Sequence, residues 1–103
     1  MIISTRAFPA SGTRDLDVVY GSSCLSVNIV KDTAETIKNI TGGELKAYTE
    51  MMNKSIELAK GRMIENAEAL GADGVYAVSI ATPQISGGAA EIIIYGTAFK
   101  FVN

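Results

Sequence analysis

The sequence predicts an α+β domain, a two-layer α/β sandwich with one short and one long helix on an antiparallel sheet. Three observations predict it. Between Gly42 and Gly74, Leu45, Tyr48, Met52, Ile56, Ala59, Met63, Ala67 and Leu70 recur at steps of three and four. That spacing keeps them on a stripe about 100° wide in a repeat of about 3.6 residues. Residues 75–82 and 91–102 instead alternate with the two-residue period of strands. The sizes also agree: a helix from Glu44 to Leu70 spans about 40 Å, and a last strand of about ten residues covers roughly 33 Å.

Taken in order, residues 1–6 read as a short strand or ordered arm, and Phe8-Pro9-Ala10-Ser11-Gly12-Thr13 as a loop. Leu16 to Val27 favours β structure through Val18, Val19, Tyr20 and the run Cys24-Leu25-Ser26-Val27. Gly21-Ser22-Ser23 interrupts it, predicting a bulge or bend in one long strand, or two short strands. The short helix comes next. Asp32 is its N-cap, Glu35 completes a capping box, and Ile29, Thr33, Ile37 and Ile40 share a face. Gly42-Gly43 ends it, because glycine adopts the left-handed conformation of helix ends.

The long helix turns Lys46, Glu50, Lys54, Glu57, Lys60 and Glu68 to water, and Glu50 precedes Lys54 by four residues, the favourable order. Gly61 costs about 1 kcal/mol relative to alanine, so close approach of another backbone is expected there. Gly71 is the terminator. In the next strand Tyr76, Val78 and Ile80 are expected on one side and Val75, Ala77, Ser79 and Ala81 on the other. Pro83 to Ala90 reads as a mobile hairpin loop around Gly87-Gly88. The final strand, Glu91 to Val102, sends Ile92, Ile94, Gly96 and Ala98 one way and Ile93, Tyr95, Thr97, Phe99 and Phe101 the other.

Composition bounds the function. The 103 residues form one domain, 1–103, with 48% hydrophobic and 19% charged residues, a globular balance. A net charge of −2 with no basic cluster and no tryptophan disfavours nucleic acid and anionic membranes. The apolar run at Met1-Ile2-Ile3 is too short for a signal peptide, and no later run is long enough to span a bilayer. With the single cysteine, Cys24, unable to form an internal disulfide, a cytoplasmic location is expected.

The last strand is apolar on both faces. Helices cover one side of an antiparallel sheet, so either Ile93, Tyr95, Phe99 and Phe101 or the opposite set stays uncovered. Met51, Leu58 and Ala69 add a second narrow stripe to the long helix. Contiguous exposed apolar surface marks an interface. A homo-oligomer is therefore expected, burying the open sheet face and the helix flank between protomers. The alternative is an N-terminal strand folded back over that face.

The ordered set of Asn28 and Asp32, Ile40, Gly42-Gly43, Tyr48, Ala67, Ala69-Leu70-Gly71-Ala72-Asp73, Val75 and Gly96-Thr97-Ala98 resembles the YbjQ-like family of small bacterial proteins. The resemblance covers nearly the whole chain. It implies a two-layer α/β fold assembled as a ring, a pentamer, whose members carry a "putative heavy-metal-binding" label without an established activity. It brings no catalytic residues. Ile56 departs from the arginine of many relatives, and Cys24 from the usual aliphatic residue.

Each chemistry has a plainer competitor. Soft-metal sites need several converging cysteines or histidines; this chain has one cysteine and no histidine. A ring could gather copies of Cys24, or pair it with Met51, Met52 or Met63, whereas a lone strand cysteine is more often a small buried hydrophobe. Without histidine, a serine or cysteine nucleophile lacks its commonest base. Asp15 and Asp17 read as residues flanking a strand start, Asp32 as a cap, and Asp73 as a turn residue bonding local amides. No nucleotide fingerprint or other cofactor motif is present. Gly42-Gly43 precedes a helix N-terminus, where anions are favoured, but reads first as a linker. Were a ligand bound, Asn28, Asp32 and the Gly42 and Gly43 amides are its candidate contacts.

The expectation is a non-enzymatic, self-associating cytoplasmic domain, with a small ligand held within or between subunits. Two alternatives stay open: a heavy-metal-binding module using Cys24 copies across the oligomer, and an enzyme with a site shared between protomers.

Overall fold

The computed structural model describes residues 1–25, 42–85 and 89–102. The strands are β1 (Ile2–Ile3), β2 (Thr13–Leu25), β3 (Gly74–Ala81), β4 (Gln84–Ile85) and β5 (Ala89–Phe101), and the helix is α1 (Gly42–Ala69). The short helix expected between Ile29 and Ile40 lies outside the described residues.

The sheet order is β1-β3-β5-β2, with β4 pairing the start of β5. β2 and β3 both run antiparallel to β5, so they are parallel to each other. The chain crosses from β2 to β3 through α1, leaving β5 inserted between them in a split β-α-β arrangement. The sheet is mixed, not wholly antiparallel as expected, because β1 joins β3 in parallel, Ile2 opposite Gly74. Ile2–Ile3 thus extends the sheet at its edge and does not fold over the open face.

α1 lies on one face, over β2 and β5 and touching β3. Its 28 residues span about 42 Å and the 13 of β5 about 43 Å, so helix and strand match along their length. The core joins Ala59, Met63 and Ala67 of α1 to Val19 of β2, Val75 of β3 and Ile92, Ile94 and Ala98 of β5. Met52, Ile56, Ile64 and Leu16 pack at its margin. Of the expected helical stripe, Leu70 is exposed, because the helix has already ended at Ala69.

That end is a Schellman turn. Gly71 takes φ +76°, its amide donates to Glu68 O at 2.9 Å, and the Ala72 amide donates to Ala67 O at 3.1 Å. Ala72 then packs against the core.

Three local expectations change. In β2 the ladder slips at Leu16, between Asp15 and Asp17, and not at Gly21-Ser22-Ser23. Gly21 serves packing instead. A Cβ there would overlap the Ala59 carbonyl oxygen and the Met63 amide, so α1 rests directly on the strand backbone. Gly61, where a close approach was expected, has nothing within 4 Å of a would-be Cβ. In β3 the simple alternation fails. Ala77, at φ +55°, sits in a bulge that sets Ala77 and Val78 opposite the single Gly96. Val75 and Val78 therefore both press on the bare Cα of Gly96 from the helix side.

Candidate functional site

Alternation along β2 and β5 gives the sheet a second face, turned away from α1. Val18 pairs with Thr97, Tyr20 with Tyr95, Ser22 with Ile93 and Cys24 with Glu91. From β3, Ser79 and Ala81 stand opposite Tyr95 and Ile93 on the same side. Val18 is 63% exposed, Tyr20 62% and Tyr95 41%. β-branched and aromatic side chains are what strands favour, so they appear here as well as in the core. Nothing among the described residues covers them.

At one end of this face the chain supplies its own cover. The N-terminal arm follows the outer edge of β3: the Ser4 amide donates to Val75 O at 2.9 Å, and the Ala77 amide to Arg6 O at 2.8 Å. Phe99 lies beneath, 3% exposed, with Tyr76 at 6.1 Å and Phe101 edge-on at 5.5 Å between ring centroids. Phe99 and Phe101 were expected to be covered or uncovered together, but Phe99 is buried and Phe101 exposed. Bare Gly74, cross-strand from Phe99, makes room for its ring. Between arm and rings is a groove of about 400 Å³, lined by Arg6, Phe8, Tyr76 and Phe101 among others.

Polar contacts close the same end. The Tyr76 hydroxyl donates to Asp15 Oδ2 at 2.9 Å. This bond raises the phenol above its usual 10.0; desolvation and the Asp15 charge add to the shift, and a hydrogen bond with Thr97 opposes it. Asp15 was read as flanking a strand start; it lies inside β2, held across the sheet. No signal in the sequence links residues 61 positions apart. Asp73 was expected to bond local amides. Its Oδ2 instead accepts from the Phe101 amide at 2.8 Å, tying the helix–strand turn to the last strand.

The candidate ligand residues divide. Asn28 and Asp32 lie outside the described residues, while Gly42 and Gly43 form the first turn of α1. Cys24, expected as a buried hydrophobe, is exposed on the open face opposite Glu91. Within one chain, fully buried Met63 and half-buried Met52 pack on the helix side of the sheet, opposite the face that bears Cys24. Among the described residues no three His, Cys, Asp or Glu side chains are grouped to hold a metal. Nor is any described helix long and apolar enough to cross a membrane.

Comparison with known proteins gives a consistent picture. A family model named YbjQ, described as "Putative heavy-metal-binding", matches residues 1–102. A UPF0145 protein of Clostridium novyi is 43% identical over 102 residues, covering 99% of each chain. One from Psychrobacter arcticus is 51% identical over 90 residues, 87% of this chain and 57% of its own length. One from Halorubrum lacusprofundi is 46% identical over 85 residues, 82% of each. Among solved structures, a protein of unknown function from Pediococcus pentosaceus, placed in the DUF74 family, superposes with TM-score 0.66. It is 22% identical and matched over 98% of this chain and 97% of that one, a likeness of fold alone.

Proposed function

The chain belongs to the YbjQ family, and from that premise we propose that it is a non-enzymatic domain of the cytoplasm whose working form is a closed ring of identical copies. One observation carries the reading. The sheet face turned away from α1 exposes Val18, Tyr20 and Tyr95 beside half-buried Ile93, and these side chains have no cover among the described residues. Fully burying a side chain of this size is worth about 1.5–3 kcal/mol, so covering the exposed part of these residues against another copy favours association. On the far side of the domain, Leu58 on α1 is 50% exposed. Two different surfaces meeting head to tail make a contact that propagates until it closes, which favours a ring over a two-fold dimer. Five is the number of copies that the family resemblance suggests.

The measurement is a native mass spectrum at micromolar concentration. A mass five times that of the chain is expected, and a mass equal to one chain overturns the proposal. The same spectrum reports any retained ligand. Asn28, Asp32 and the Gly42 and Gly43 amides are the proposed contacts for it, so Asn28→Ala is expected to lower its occupancy.

A second reading, heavy-metal binding, is favoured by the exposure of Cys24 beside Glu91, which gives each copy a thiol and a carboxylate on the face proposed to meet its neighbour. Calorimetric titration with zinc or copper tests it: uptake that Cys24→Ala abolishes supports this reading, and uptake indifferent to that change dismisses it. The names of the relatives state no catalytic activity.

A further inference from the structure

We infer that Arg62 and Asn66 guard the outer edge of β2, closing it to strand addition by a second copy of the chain. Among the described residues β2 is the last strand in the sheet order, and it runs for 13 residues. Backbone groups alternate in direction along a strand, so every second residue of β2 points its N–H and C=O away from β5. A long edge of this kind, with Val18 and Tyr20 exposed beside it, is a template for pairing with another strand.

The consecutive outward carbonyls in the middle of that edge are taken. Asn66 Nδ2 donates to Tyr20 O at 2.7 Å, and Arg62 Nη1 donates to Ser22 O at 2.6 Å. One step earlier, the Val18 amide donates to Asp17 Oδ1 at 2.7 Å. Asn66 and Arg62 sit four apart on α1, so they project one above the other, matching the two-residue step from Tyr20 to Ser22 on the strand. They reach because Gly21, the residue between those carbonyls, lets the helix rest on the strand backbone. An incoming strand would have to recover both carbonyls and displace a guanidinium from a charge-assisted bond. The opposite edge is blunted differently: β1 has only 2 residues.

The inference goes beyond self-association, since it states which surface copies do not use, and it holds for a single chain or a ring. Its test compares variants with the wild type. Arg62→Ala combined with Asn66→Ala is expected to produce species larger than the wild type and an intermolecular β component in the amide I spectrum. Arg62→Lys with Asn66→Gln keeps a donor at each position and is expected to stay at the wild-type mass. Adding Ser22→Pro to the alanine pair removes an outward N–H without breaking a bond to β5, and is expected to suppress the larger species. A destabilised fold would instead aggregate more. The inference is overturned if the alanine pair keeps wild-type mass and spectrum, if the Lys/Gln pair grows equally, or if Ser22→Pro does not reverse the growth. The wild-type mass decides ring formation separately.

Discussion

Gly21 and Gly61 differ in what surrounds a missing side chain, and opposite effects follow. At Gly21 a methyl group would overlap backbone atoms of α1, which cannot swing aside as a side-chain tip can. Gly21→Ala is expected to cost about 3 kcal/mol, read as a fall of roughly 10 °C or more in thermal unfolding followed by circular dichroism. Gly61 meets nothing, so Gly61→Ala is expected to raise stability by about 0.5–1 kcal/mol through helix propensity alone. The sequence places both glycines in otherwise regular elements and cannot rank them, because the distinction lies in where a distant element rests. At Tyr76 the bond to Asp15 holds the phenol protonated above its usual 10.0. The neutral form is favoured in the fold, so this contribution to stability is present below the unfolded value and is lost as pH rises through the higher folded value. Asp15→Asn is expected to return one tyrosine titration toward its ordinary position, followed by tyrosinate absorbance with Tyr76→Phe identifying the transition.

Among the elements, α1 is the most legible. Its stripe from Met52 through Ala67 faces the core, and its Gly71 terminator adopts the conformation expected. Gly71→Ala forces a Cβ into the left-handed region at about 1–2 kcal/mol and should lower the melting temperature by several degrees without changing helix content. β5 was also readable, since strict alternation over a long stretch leaves no other fit to a sheet. β3 was not. A period-two reading puts Val78 and Val75 on opposite sides, but Ala77 at φ +55° inserts a residue and brings both to the core. The arm holds that bulge, with Ala77 and Val78 amides donating to Arg6 O and Ser4 O. A bulge stabilised by a partner some seventy positions away leaves no trace in a local window.

For the whole molecule, one layer of helix on one sheet leaves the sheet's other face to be accounted for. Among the described residues the arm covers only the Phe99 end, and Val18, Tyr20 and Tyr95 remain exposed. Charged substitutions there should act on assembly and spare the fold, because a single chain does not bury these side chains. Val18→Glu with Tyr20→Glu is expected to shift the sedimentation mass toward one chain while the melting profile of the subunit is kept. Loss of the folded subunit in that variant, or an unchanged mass, would remove the sheet face from the assembly.

The sequence by itself determined the long helix and its end, the closing strand, and the apolar excess that one helix layer cannot hide. All of these are written in residues within a few turns or pleats of one another, where periodicity acts. Only the tertiary structure decided that β5 lies between β2 and β3, that Gly21 and not Gly61 is the point of contact, and that Asp15, Asp73, Arg62 and Asn66 are spent on tying distant segments together. Those outcomes depend on which surfaces meet once the chain folds back on itself, and a hydrogen bond or a close approach between remote residues imposes no period on the sequence.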